Sequence, residues 1–62
     1  MKIILTDIEK GSKKEIQTPL TLKKWLSIHF GAWGFYHVEK IAKNVYYISD
    51  SFDGTLLYQV EL

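Results

Sequence analysis

Residues Thr18–Gly31, TPLTLKKWLSIHFG, carry the clearest helix signal in the chain. Leu22, Trp25, Leu26, His29 and Phe30 recur at a spacing of 3.6 and share one face, with Lys23, Lys24 and Ser27 opposite. Two starts are open. Thr18-Pro19 offers a capping hydroxyl before a proline at the first helical position. Thr21 offers another, and then Leu20 and Trp25 stand at the two positions of a hydrophobic staple. Gly31 is the expected stop, so the helix is placed over about residues 19–30. His29, on the apolar face, is expected to be buried or half-buried.

Outward from the helix the apolar period falls to two. Strands are expected at 2–9 and 13–18, joined by the turn Lys10-Gly11-Ser12. Three more follow at 35–42, 45–50 and 55–62, joined by Lys43-Asn44 and by Ser51-Phe52-Asp53-Gly54. The expected fold is therefore α+β, in the order ββαβββ, with an antiparallel sheet packed on one helix. Residues 1–62 form one small domain.

A four-residue loop at 51–54 would set Ser49, Tyr47 and Val45 opposite Leu56, Tyr58 and Val60. A two-residue turn at 43–44 would add Val38, Lys40 and Ala42 to the same face, which is taken as the helix side. The expected core is then Ile4, Leu22, Trp25, Leu26, Phe30, Val38, Val45, Tyr47, Leu56, Tyr58 and Val60. The other face would carry Phe35, Ile41, Tyr46, Ile48 and Leu57 among polar residues, more apolar surface than a solvated face needs.

Length and charge bound the function. At roughly 0.05–0.15 kcal/mol per residue, 62 residues give a stability of about 3–9 kcal/mol, so a large enclosed active site is not expected. The absence of cysteine excludes disulfides, thiolate nucleophiles and cysteine-ligated metals. Eight basic residues, all lysine, face seven acids. That balance, without arginine, argues against a dedicated reader of DNA. Residues 1–31 hold six lysines and three acids, and residues 32–62 hold two lysines and four acids, a polarity that can orient a charged partner. No stretch has the apolar length of a signal peptide or a membrane span, so a cytoplasmic protein without membrane contact is expected.

No catalytic constellation emerges. His29 and His37 stand on different elements without metal-ligand spacing, and Asp50 and Asp53 fit Asx turns better than a calcium loop. Neither a nucleophile elbow nor a phosphate-binding glycine pattern is present. No catalytic residue, cofactor or metal is expected.

The expected function is a small non-catalytic protein-binding module. Its contact residues are taken as Trp33, Phe35, Tyr36, His37, Tyr46, Ile48 and Leu57, since aromatic anchors dominate binding surfaces. A homodimer through the same surface is one way to bury it. The alternatives are a nucleic-acid-binding accessory protein using Lys10, Lys13, Lys14, Lys23 and Lys24, and a self-associating structural protein. In general character the chain resembles the short cysteine-free accessory proteins of bacteriophages and other mobile elements. Its lysine, isoleucine and tyrosine usage without arginine fits an AT-rich genome. That resemblance implies an inhibitor of a host protein, of the anti-defence type, and attaches to no particular residue.

Overall fold

Thr21, rather than Thr18, caps the helix. Its hydroxyl accepts from the Lys24 backbone N–H at 3.3 Å, and helix α1 runs Leu22–Phe30. The Thr18 hydroxyl serves the preceding bend, accepting from the Leu20 N–H at 3.1 Å. Pro19 therefore lies before the helix, which is shorter than the expected 19–30. Leu20 packs on the core that Trp25 enters, as a staple requires. Gly31 ends α1 by donating its N–H to the Ser27 carbonyl at 3.1 Å. A Cβ there would meet that same oxygen at 2.7 Å, so only glycine fits without movement.

The computed structural model describes residues 1–31 and 34–62. Around α1 it places strands β1 (Lys2–Asp7), β2 (Ser12–Gln17), β3 (Tyr36–Ala42), β4 (Val45–Asp50) and β5 (Leu56–Glu61). They form one sheet in the order β2-β1-β5-β4-β3. Every pairing is antiparallel. The first hairpin joins the meander through β1 and β5, so β2 and β3 are the edges. The α+β class and the ββαβββ order stand as read from the sequence.

One face of the sheet carries the helix. Ile3, Ile48 and Val60 have no exposed surface, and Leu22, Trp25 and Leu26 close over them from α1. Each interior strand thus supplies one fully buried side chain. Burying a residue of this size stabilises by about 1.5–3 kcal/mol. Those three residues alone act on the scale of the whole domain's stability.

The faces of β1 and β4 differ from expectation, and Ala42 and Leu56, which pair with Val45 and Ser49, leave the helix face with β4. Ile3, not Ile4, enters the core, and Ile4 stands half-buried on the open face. In β4, Tyr46 and Ile48 face the helix beside Val38, Tyr58 and Val60, while Val45 and Tyr47 face away. The expected turn register is present at both ends of β4: Ala42 pairs with Val45, and Ser49 pairs with Leu56. One residue further, the pairs are Lys40 with Tyr46 and Ile48 with Tyr58. Ile41 and Leu57 are passed over, each an extra residue in a β-bulge. Each bulge shifts the alternation by one, and both shift it in the same sense for β4. The exchange brings Ile48 into the core where the regular register would put Ser49. Burying an isoleucine rather than a hydroxyl outweighs the local loss of pairing.

Candidate partner-binding end of the sheet

The β4–β5 loop is built by two aspartates. The Asp50 Oδ1 accepts from the Phe52 N–H at 2.7 Å, and the Asp53 Oδ1 accepts from the Thr55 N–H at 2.8 Å. Gly54, at φ 78°, donates its N–H to the Asp50 carbonyl at 2.9 Å. That positive φ is one that L side chains adopt with strain. Ser51 ties the loop to the segment leading into β3: its N–H donates to the Phe35 carbonyl at 3.1 Å, and its hydroxyl donates to the Gly34 carbonyl.

With its backbone held in this way, the loop lifts Phe52 into solvent. Phe52 is 80% exposed and Phe35 is 54% exposed. Their ring centroids lie 6.2 Å apart, tilted at 44°, within the range of attractive aromatic pairs. Tyr36, at the same end, is anchored from beneath. Its ring meets Phe30 edge-on at 5.2 Å, and Phe30 in turn meets Trp25 and Tyr58. Tyr36 therefore stands on the core, while Phe35 and Phe52 pair with each other above the tethered loop.

The surroundings are acidic. Asp50 and Asp53 flank Phe52 in sequence. In the neighbouring β1–β2 turn, Glu9 and Ile8 border a groove of about 310 Å³ that Thr55 and Leu57 also line. The hydrogen bonds from Thr55 hold the Asp53 carboxyl below the usual carboxylate range, so it stays ionised at neutral pH. The ionised form accepts the Thr55 N–H, and the stabilisation is complete above the unfolded carboxyl's pKa. It is lost as pH falls through the depressed folded value. Nuclear Overhauser contacts between the Phe35 and Phe52 rings should fade in that acid range. They should be weak at neutral pH in Asp53→Ala.

The residues expected to form one contact surface divide. Phe35 and Tyr36 come together at this end. His37 is exposed on the open face opposite the helix, paired with Ser49. Leu57 is half-buried at its bulge, close to the same end. Tyr46 and Ile48 belong to the core side; Ile48 has no exposed surface and makes no surface contact in this fold. Their expected exposure is corrected by the two bulges. Trp33 lies outside the described residues. The lysines divide as well. Lys13 and Lys14 are consecutive on β2 and point to opposite faces, Lys10 sits in the turn before it, and Lys23 and Lys24 lie on the first turn of α1.

Sequence reasoning places Phe52 in a turn and does not count it among the partner-contact residues. An aromatic ring between Ser51 and Asp53 in a tight turn has no route to the core, and that mismatch is the signal that marks it. His29 also departs from expectation. It is exposed, and its ring lies over Trp25 at 4.6 Å between centroids. It sits on the helix side of the sheet and His37 on the other, so the two histidines do not share a site. Among the described residues no group of three or more histidines and acids is placed to hold a metal ion, and no helix is long and apolar enough to cross a membrane.

Comparison with protein-family models, curated proteins and solved structures finds no match. The functional reading therefore rests on the geometry of this chain.

Proposed function

We propose that the protein is a small non-catalytic binding module that docks on another protein through Phe52 and Phe35. The observation that carries this reading is the rigidly tethered loop that keeps two phenyl rings in water. A preformed aromatic anchor loses little conformational freedom on binding, which favours affinity. The acids around it select a partner whose apolar socket is rimmed by basic residues. Such a module acts by occupying a surface of its target. That is the mode of action of an inhibitor, in keeping with the general resemblance to mobile-element accessory proteins.

Nucleic-acid binding has less support. The lysines sit on two faces of β2, in a turn and on the helix, whereas a phosphate backbone is held by a continuous basic track.

The test is capture from host lysate after nuclease treatment, using the unaltered chain, Phe52→Ala, and Lys13→Glu with Lys14→Glu. Loss of a true anchor costs at least about 2 kcal/mol, close to thirtyfold in affinity. The expected result is one protein retained by the unaltered and lysine-substituted chains and lost by Phe52→Ala. A catch that disappears with nuclease and with the lysine substitutions, but survives Phe52→Ala, would overturn the reading.

A further inference from the structure

We propose that the free edge of β3 pairs antiparallel with the β3 edge of a second copy of this chain, centred on Val38. The Phe35 carbonyl accepts from Ser51, and the His37 carbonyl accepts from the Ser49 hydroxyl at 3.5 Å, so both point toward β4. By strand alternation Tyr36, Val38 and Lys40 present their N–H and C=O groups at the open edge. Pairing about Val38 matches those three residues with Lys40, Val38 and Tyr36 of the second copy, each donating and accepting one bond.

The side chains agree with that register and with no neighbouring one. On the open face, His37 falls opposite Glu39 of the second copy, and Glu39 opposite its His37. On the helix face, Lys40 falls opposite the Tyr36 ring, where an ammonium over an aromatic face is attracted. Beyond them Phe35 and Ile41, 54% and 44% exposed, lie alongside each other at both ends of the pairing. Moving the centre one residue either way sets Glu39 against Glu39 or His37 against His37. A centre between two residues, on either side of Val38, is out of phase, since it sets an edge-facing residue opposite one already bonded to β4. The other edge is less suited: a centre on Lys14 of β2 opposes two lysines, and Glu15 is already engaged by Lys2 at 3.1 Å.

The helix side of β3 is open as well. A groove of about 630 Å³ lies between α1 and this edge, lined by Leu26, Val38 and Tyr46 with Lys23 and Lys40 at its margin. Among the described residues no further strand borders β3. In the pairing, Tyr36 and Val38 of the second copy extend the sheet beneath that groove. Both helices then lie on one side of a continuous sheet.

Charge exchange tests the register, because His37 and Glu39 are both exposed. Dissociation constants would be measured by sedimentation equilibrium for the unaltered chain, His37→Glu, Glu39→Lys and the double variant, with circular dichroism as the check on folding. Each single change places like or poorly matched groups opposite each other twice by symmetry. At up to about 1 kcal/mol per pair, the two pairs together should weaken the dimer by up to about thirtyfold. The double variant again sets an acid opposite a base at both places, with the two positions exchanged. It should return the constant to that of the unaltered chain. Phe52 lies outside the paired residues and meets Phe35 at their end, so Phe52→Ala should shift the constant less than either single charge variant does. A chain that stays monomeric at every concentration reached overturns the proposal. So do single variants that leave dimerisation unmoved, or a double variant that fails to recover it.

Discussion

Trp25→Ala should abolish cooperative folding at physiological temperature. Trp25 is 4% exposed and stands where the helix meets the sheet. It is the far half of the staple with Leu20, and its ring contacts Phe30 at 5.8 Å between centroids. Through Phe30 it also supports Tyr36 and Tyr58. Truncating a buried tryptophan costs about 3–5 kcal/mol, and the whole domain has about 3–9 kcal/mol to lose. Urea denaturation followed by circular dichroism should show either no native baseline or a midpoint moved far to lower urea. A loss below about 1 kcal/mol would mean that the cavity refills and that α1 is not the lid of the core. The variant tests the scaffold from which the binding loop projects.

Ile48→Ala and Tyr47→Ala should part company. Ile48 has no exposed surface, and its truncation should cost about 2–5 kcal/mol. Tyr47 stands half-buried on the open face, opposite Gln59 on one side and Glu39 on the other. Its loss removes cross-strand contacts valued at about 0.2–1 kcal/mol each. The regular register without bulges predicts the reverse order, with Tyr47 in the core and Ile48 outside. Two equilibrium unfolding curves therefore decide between the two arrangements of β4. Equal losses, or a larger loss for Tyr47→Ala, would contradict the bulged register.

How far the sequence leads depends on which physical signal is local. The staple of Leu20 and Trp25, the Thr21 hydroxyl and Gly31 sit within one turn of the backbone groups they serve, so the helix is legible. The turn residues Asn44, at φ 62°, and Gly54 are legible for the same reason. The side on which β4 presents its residues is not. It depends on Ile41 and Leu57 being passed over. A bulge carries no reliable residue signature, because it is decided by what the shifted register buries. Ile48 gains a core place from it, and Tyr46 moves with it. That misplaced face makes Tyr46 and Ile48 look like surface anchors. Phe35 and Tyr36 escape the error because they precede β3 or stand at its first residue, away from the bulge at Ile41. Phe52 is visible in the sequence as an aromatic in a turn, but its polar neighbours account for the turn and hide it.

The docking claim meets its most direct test in a photocrosslinking series. A benzoyl-substituted phenylalanine would be placed at Phe52, and in separate chains at Ile28 on the exposed side of α1 and at Tyr47 on the open sheet face. Each would be irradiated in host lysate. One dominant protein adduct is expected from position 52, absent from positions 28 and 47. An adduct formed from position 28 or 47 while position 52 stays unreacted would contradict it and move the contact to the helix or to the open sheet face.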